Sequence, residues 1–274
     1  IHTSTGGAKF ALLDVVEGLA KRRRNLVTYA TPNWVVFDKV IDHAKKGITS
    51  SPFHATTADE FVQGFADLPN KDNLAALLVV DPSNPLGYRL GEDHVVELER
   101  VAEKHGVTLI FDDVFRGMQK KGERHSASEY SSNSVIIEST SKRFGSRSLG
   151  ATWTLVPNGI KVKIKDETDH CSGGCKNTVA QVIHGLYGLG YGERISAMVR
   201  ENASAFREGF KAAFVLQGDL PTGAGSFYQA FPEMPVMAYH LPPGESSVDL
   251  ADLAKSKVLV TSGVEWVCKQ NPLI

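Results

Sequence analysis

The sequence predicts an α/β fold in which a mostly parallel sheet is the middle of three layers, followed by a smaller α+β C-terminal domain. Short apolar runs typical of buried strands alternate with amphipathic helical segments through the first part of the chain. After Gly173 and Gly174 the pattern changes to long helical segments and then to short mixed elements. We therefore predict a large domain over 1–175, linking helices over 176–216 and an incomplete small C-terminal domain over 217–274.

Hydrophobic periodicity predicts the first elements. Apolar residues recur at helical spacing over 8–24, which indicates a helix. The basic run Lys21–Arg24 falls at its end, where cations complement the helix dipole. A short strand over 25–30 follows, and a turn at 32–34 leads into an amphipathic helix that ends near Gly47.

The next helices are predicted by their caps. Thr57 and Glu60 have the capping-box spacing, with an acid three residues after a threonine. Residues 75–80 form a continuous apolar run, as expected of a buried parallel strand. A strongly amphipathic helix over 90–105 is closed by Gly106.

The later elements are less regular. We predict strands at 107–111, 135–137 and 151–156. A long helical region over 177–214 is broken at 188–192, where a GxGxG sequence lies between helices and therefore lacks the context of a dinucleotide loop. The C-terminal part is predicted to add strands at 227–231, 236–240 and 258–260 and a helix at 248–254.

Three polar segments each follow an apolar, β-prone run: Asp81–Gly87, Phe111–Phe115 and Ser139–Arg143. Each should lie at the C-terminal end of a strand, the edge where open α/β sheets bind ligands. An amide, a carboxylate and a lysine at one crevice suit pyridoxal phosphate. The sequence therefore predicts a pyridoxal-phosphate site at this edge.

Each side chain has a predicted role in that site. Lys142 would form a Schiff base with the cofactor and then act as acid and base. Asp112 would keep the pyridine nitrogen protonated. Asn84 would form a hydrogen bond with the phenolic oxygen, and Trp34 would stack on the ring.

The same residues also have ordinary structural interpretations, which the sequence leaves open. A lysine is usually solvated, and an acid pair such as Asp112 and Asp113 can cap a loop or bind a metal. An Asn-Pro sequence can be a simple turn, and a tryptophan can belong to the core.

A phosphate site is predicted at the start of the first helix. Gly6, Gly7 and Ala8 open that helix, where free backbone N–H groups bind anions. Hydroxyl and guanidinium groups are expected to add contacts to the same phosphate, from Ser139, Ser141 and Arg147.

In this order the segments resemble the class I and II aminotransferases, the aspartate-aminotransferase-like, fold type I pyridoxal-phosphate enzymes. The resemblance implies a two-domain homodimer with active sites at the interface, which transfers an amino group from an amino acid to a keto acid. Phe115 stands where the family has a tyrosine that donates to the phenolic oxygen, so we expect a shifted pKa of the lysine-bound cofactor. Arg147 follows Lys142 by five residues, whereas the family's phosphate-binding arginine lies about two helical turns beyond the lysine.

The bulk properties limit the other possibilities. A net charge of -1 and the absence of a long apolar run predict neither a polyanionic partner such as nucleic acid nor a membrane span. The odd, low count of 3 cysteines predicts a cytoplasmic protein without a disulfide framework, and Cys171 and Cys175 are too few for a structural zinc site. The first residues lack the pattern of a signal peptide and include no initiator Met, so we expect a fragment, a cleaved form or a listing of ordered residues only.

Two alternatives to transamination stay open at this point. The same apparatus supports a pyridoxal-phosphate-dependent lyase, decarboxylase or cyclase of amino-acid or natural-product metabolism, because all these reactions begin from one carbanion. Aminotransferase-like domains also serve as effector-sensing modules of transcription regulators, although no DNA-binding segment is recognisable here.

Overall fold

The computed structural model describes residues 2–4, 6–19, 24–34, 36–44, 47–119, 123, 126–146, 149–158, 160 and 176–216. The predicted elements of the small C-terminal domain lie outside these residues. Arg147, Cys171 and Cys175 also lie outside them. The proposed division of the chain into domains therefore stays a prediction.

The described residues contain nine strands, seven α-helices and two short 3-10 helices. The strands are β1 His2–Ser4, β2 Leu26–Thr28, β3 Ala30–Thr31, β4 Thr49–Ser50, β5 Phe53–His54, β6 Leu74–Val80, β7 Thr108–Asp112, β8 Val135–Ser139 and β9 Thr152–Leu155. The helices are α1 Ala8–Leu19, α2 Val36–His43, α3 Ala58–Asp67, α4 Glu92–His105, α5 Thr140–Arg143, α6 Lys176–Gly188 and α7 Tyr191–Leu216. The 3-10 helices are Lys71–Asn73 and Ala127–Tyr130.

Seven of the strands form one sheet in the order β1-β9-β8-β7-β6-β2-β4. The strands β4, β2, β6, β7 and β8 are parallel to one another, whereas β9 runs antiparallel to both β8 and β1. Strands β3 and β5 form a separate two-stranded parallel sheet. The predicted α/β fold with a mostly parallel sheet is confirmed.

Strand β6 shows how helices cover both faces of the sheet. Its side chains alternate, so Leu78 and Val80 pack into a cluster that contains α1 and α2 residues. Leu77 and Val79 pack into a second cluster that contains α3 and α4 residues. We call these the α1 face and the α4 face of the sheet. All seven residues of β6 are buried, which explains the continuous apolar run in the sequence.

The first helix is shorter than predicted. Helix α1 ends at Leu19, and Arg24 lies outside it, just before β2. The Arg24 guanidinium donates hydrogen bonds to the carbonyl oxygens of His105 and Gly106, at 2.7 and 2.5 Å. This arginine therefore caps the C-terminus of α4 instead of α1, a contact between distant segments that local sequence does not reveal.

Two other boundaries also differ from the prediction. The strand expected over 25–30 divides into β2 and β3, which belong to different sheets. The second helix ends at His43, before the expected Gly47. The break in the long helical region is confirmed, because Gly190 separates α6 from α7 with a φ of +62°.

Candidate active site

Asp112 is the last residue of β7, and its neighbours in the sheet are Val80 of β6 and Ile137 of β8. Only 7% of Asp112 is exposed. Burial raises the pKa of its carboxyl group to about 6, while a hydrogen bond from the Val114 amide and the charge of Lys142 act in the opposite direction. Lys142 is therefore close enough to Asp112 to lower the pKa of its carboxyl group. The predicted acid and the predicted amine lie at the same edge of the sheet.

Lys142 lies in α5, the single helical turn that directly follows β8. Its Nζ atom is 5.7 Å from the centre of the Phe115 ring, a cation–π contact. Phe115 is 2% exposed and follows Asp112 by three residues. The lysine amine therefore points toward the segment that carries the carboxylate.

Ser139 and Thr140 attach α5, which we call the lysine turn, to the sheet. Ser139 is the N-cap of α5, and its hydroxyl accepts a hydrogen bond from the Ser141 amide at 3.3 Å. The Ser139 and Thr140 hydroxyls both reach the carbonyl oxygen of Ala151, at 3.4 and 3.2 Å. The turn that holds Lys142 is thus bonded to the chain just before β9.

The start of α1 lies beside the same region. The Gly7 amide donates a 2.8 Å hydrogen bond to the carbonyl oxygen of Gly150, next to the Ala151 that holds Ser139 and Thr140. Gly7 has a φ of +79°, a conformation that favours glycine. Its own N–H is already bonded, so the prediction that Gly7 donates to a phosphate needs correction. The Phe10 and Ala11 amides bond to the Gly7 carbonyl, so the α1 amides that can face an anion are those of Ala8 and Lys9.

Trp34 is half-buried at the margin of the α1-face core. Its ring makes an edge-on contact with Phe37, with the ring centres 5.7 Å apart. The Lys9 ammonium, in the first turn of α1, lies 5.3 Å from the centre of the Trp34 ring. Trp34 is therefore adjacent to the start of α1, in keeping with either of its two interpretations, a core residue or a ring-stacking residue.

Asn84 lies in the loop that follows β6. It is 9% exposed, and its Oδ1 atom is buried without a hydrogen-bond partner among the described residues. An unsatisfied buried polar atom costs about 1–3 kcal/mol. This acceptor therefore fits a ligand that brings its own hydroxyl group to the loop.

Asp113 has a different environment from Asp112. Its carboxylate accepts hydrogen bonds from the hydroxyls of Ser126 and Ser128, and Arg116 lies 3.7 Å away. Burial raises the pKa of Asp113 to about 7 against these favourable contacts. Asp113 thus anchors the following loop, and no group of metal-binding side chains occurs within the described part of the chain.

Sequence reasoning did not identify two residues that shape the site. Asp81, the first residue after β6, accepts hydrogen bonds from the amides of Leu90 and Ala127 at 2.9 and 2.7 Å. Arg143 follows Lys142 and contacts α6 and α7. The only signal for Asp81 was its position directly after a strand, and Arg143 carried no local signal.

Comparison with protein families matches residues 3–213 to the family described as Aminotransferase class I and II. No curated protein sequence matches the chain. Aspartate aminotransferase from Thermus thermophilus with maleate is 18% identical, with a TM-score of 0.63 over 83% of this chain and 58% of that one. The chain therefore spans little more than half the length of this relative.

Two further solved structures share the fold. YbdL from Escherichia coli, described as having a methionine aminotransferase function, has a TM-score of 0.74 at 13% identity, over 98% of this chain and 70% of that one. The PLP-bound C-S lyase from Staphylococcus hominis has a TM-score of 0.62 at 17% identity, over 93% and 63% of the two chains. None of the described helices is long and apolar enough to cross a membrane.

Proposed function

Because the chain belongs to the class I and II aminotransferases, we propose that it binds pyridoxal 5'-phosphate at Lys142 and transfers the amino group of an amino acid to a keto acid. The observation that carries this proposal is the pairing of a buried strand-end carboxylate, Asp112, with an amine that acts on it electrostatically. A lysine and a carboxylate at one sheet edge suit the two ends of a pyridine ring that carries an aldehyde.

The described residues fit this cofactor. The first amides of α1 and the Ser141 hydroxyl would supply donors for the phosphate, and Ser139 would join them only by giving up its bond to the Ala151 carbonyl. The buried Oδ1 atom of Asn84 is an acceptor without a partner among the described residues, and Trp34 offers an aromatic face. When bound, pyridoxal phosphate supplies an aldehyde that captures amines and a ring that withdraws electrons from the substrate.

Asp112 would hold a proton on the ring nitrogen. With a pKa of about 6, its carboxyl group is mainly ionised at neutral pH. A protonated pyridine nitrogen nearby would lower this pKa further, because opposite charges stabilise each other. The carboxylate is thus in the state that this role requires.

Lys142 would carry protons as well as hold the cofactor. Its amine lies 5.7 Å from the centre of the buried Phe115 ring, and the Lys142 side chain is exposed, so a substrate can reach it. An amine released from the cofactor could take a proton from the substrate α-carbon and return it at the next step. The short, N-capped turn limits the positions that the amine can reach.

The substrates in this proposal are an amino acid and a keto acid, and the assembly is a homodimer in the cytoplasm. Family membership supports the substrate class. The dimer and the compartment rest on the resemblance and on the cysteine count, and light scattering of the purified protein tests the dimer directly. The assignment of Arg147 to the phosphate remains part of the same proposal.

A pyridoxal-phosphate-dependent lyase is the second candidate, and Phe115 favours it. A phenylalanine cannot donate the hydrogen bond that a tyrosine at this position would give to the phenolic oxygen, so the electronic balance of the ring would differ from that of a typical transaminase. Decarboxylation and ring closure fall under the same alternative. The fold is also shared with a C-S lyase, so the fold is compatible with a lyase reaction.

Product analysis tests the two candidates. Protein loaded with pyridoxal phosphate is incubated with a panel of amino acids and 2-oxoglutarate, and glutamate, ammonia and carbon dioxide are measured. Transamination predicts glutamate, and Lys142→Ala should reduce its formation at least about 100-fold, because a positioned acid–base group contributes that much or more. Lys104→Ala, which removes an exposed lysine at the end of α4, is the matched control. Ammonia, carbon dioxide or a cyclised product without glutamate would favour the second candidate.

A further inference from the structure

Arg143, the residue after Lys142, contacts the two helices that follow the sheet. Its Cζ atom lies 4.7 Å from the centre of the Tyr187 ring in α6. One guanidinium nitrogen is 4.0 Å from a carboxylate oxygen of Glu193 in α7. The Phe144 ring packs edge-on against the same tyrosine at 5.0 Å. The lysine turn is thus attached to α6 and α7 through the residues directly after the lysine.

The guanidinium also lies against two glycines. A Cβ atom at Gly117 would be 2.6 Å from Nη1 of Arg143, and one at Gly192 would be 3.1 Å from its Nε. Gly117 also has a φ of +82°, so both its conformation and its surroundings disfavour a side chain. The Nε atom is buried and has no hydrogen-bond partner among the described residues. Packing and charge therefore hold this arginine more than hydrogen bonds do.

Helix α7 also fixes the segment that follows Phe115. The Ser196 hydroxyl donates to the carbonyl oxygen of Gly117 at 2.9 Å, and Arg200 donates to that of Met118 at 3.0 Å. Ser196 is fully buried. One helix thus holds both the lysine turn and the chain that continues from Asp112.

Two neighbouring side chains of the lysine turn therefore contact one short segment. Lys142 reaches the Phe115 ring, and Arg143 lies against Gly117, two residues further along. We propose that Arg143 is a positioning residue, which holds the lysine turn against the 115–117 segment and so sets the place of the Lys142 amine relative to Asp112. This inference rests on the proposed function of Lys142.

The positioning role requires the planar shape of the Arg143 side chain as well as its charge. An arginine presents a planar group that stacks on an aromatic ring, whereas a lysine carries the same charge without that plane. Arg143→Lys should therefore behave like Arg143→Ala. Tyr187→Phe keeps the ring and should behave like the wild type, whereas Tyr187→Leu removes the ring and should resemble the arginine variants.

Two measurements on the full chain test this. In the first, the visible absorbance of the pyridoxal-phosphate-loaded protein is titrated with pH. Arg143→Lys, Arg143→Ala and Tyr187→Leu should move the midpoint by about half a pH unit or more, because the lysine and its charged neighbours change their separation. In the second, an amine-reactive label is added to the cofactor-free protein, and its rate at Lys142 is followed by peptide mass spectrometry. The same variants should change this rate at least about threefold, which corresponds to roughly 0.6 kcal/mol.

Arg100→Ala is the control for the loss of an arginine. Arg100 pairs with Glu97 on the exposed side of α4, and its removal should leave both readouts unchanged. Melting temperatures are recorded for every variant. Lower melting temperatures with unchanged midpoints and labelling rates would mean that Arg143 only stabilises the fold, which overturns the inference. So would wild-type behaviour of Arg143→Lys.

The two proposals fail in different ways. A wild-type protein that never attaches pyridoxal phosphate at Lys142 would refute the proposed function, whatever the arginine variants do. A wild-type protein that attaches it, together with arginine variants that match it in both measurements, would refute the positioning role alone.

Discussion

Asp112 and Asp113 are adjacent carboxylates with different chemical environments. Asp112 ends β7, accepts a weak hydrogen bond from the Val114 amide at 3.4 Å, and experiences the charge of Lys142. Asp113 is held by two serine hydroxyls and Arg116. Alternation along an extended chain sends successive side chains in opposite directions. One acid is therefore available to a ligand, whereas the other is used to fix the loop.

Substitution of each acid should separate these roles. Asp112→Asn should reduce glutamate formation about 100-fold or more, because it removes the charge that stabilises a protonated ring nitrogen. Asp113→Asn should lower the free energy of unfolding by about 1–3 kcal/mol, because it weakens buried hydrogen bonds. Steady-state kinetics and urea denaturation measure the two effects. Equal loss of activity in both variants, with equal stability, would contradict the assignment.

The raised pKa values predict how stability depends on pH. In the folded protein the pKa of Asp112 is about 6 and that of Asp113 about 7, both above the ordinary value of 3.8. The native state therefore binds more protons than the unfolded chain between these values. The contribution of both groups to stability is complete below the unfolded pKa and is lost as pH rises through the folded pKa.

Urea denaturation of the cofactor-free protein at a series of pH values measures this dependence. The free energy of unfolding of the wild type should fall between about pH 4 and pH 7. That of Asp113→Asn should fall less steeply, because one of the two groups no longer titrates. Identical slopes for the wild type and Asp113→Asn would show that Asp113 does not retain its proton in the native state.

At the scale of elements, helix α5 is a single turn that depends on its N-cap. Ser139 caps the turn and reaches the Ala151 carbonyl, while Thr57 caps α3 in the same manner, far along the chain from Lys142. Loss of a serine or threonine N-cap costs about 0.5–2 kcal/mol of stability. The two caps therefore provide a matched comparison between a turn that carries the lysine and a helix that does not.

Ser139→Ala should weaken the binding of pyridoxal phosphate about tenfold, since a loss of 1.4 kcal/mol in the bound state has that effect. Thr57→Ala should leave cofactor affinity unchanged although it lowers the melting temperature. Titration followed by absorbance gives both affinities. Equal affinity in the two variants would show that the α5 cap is not part of the cofactor site.

The elements that sequence predicted well are those set by local periodicity. The apolar run of β6 and the amphipathic pattern of α4, with Gly106 in the left-handed conformation, follow directly from burial and from helix geometry. The strand-end positions of Asn84, Asp112 and Lys142 followed from the same reasoning. Contacts between distant segments could not be predicted in this way. Arg24 caps α4 and Arg143 contacts Tyr187, and both contacts depend on tertiary packing.

At the scale of the whole molecule, sheet register brings the site together. Val80, Asp112 and Ile137 are neighbours across β6, β7 and β8, so the loops after these strands start at one edge. Asp81 joins two of these regions, since it bonds to the amides of Leu90 and Ala127. The start of α1 reaches the same region through Gly7 and Gly150. A ligand that contacts all these segments should therefore stabilise the entire sheet.

Thermal denaturation tests this expectation. Pyridoxal phosphate at 100 times its dissociation constant should raise the free energy of unfolding by about 2.7 kcal/mol, because it binds only the folded state. Pyridoxal, which lacks the phosphate, should stabilise the protein much less at equal concentration, because it cannot use the amides at the start of α1. Equal stabilisation by the two compounds would contradict a phosphate site there.

The central claim is that Lys142 is the residue to which pyridoxal phosphate becomes attached. The most direct measurement is reduction of the loaded protein with borohydride, followed by protease digestion and mass spectrometry of the peptides. We predict a pyridoxyl group on Lys142 in the wild type and in Lys104→Ala, and none at any position in Lys142→Ala. Attachment to a different lysine, or no attachment in the wild type, would contradict the account.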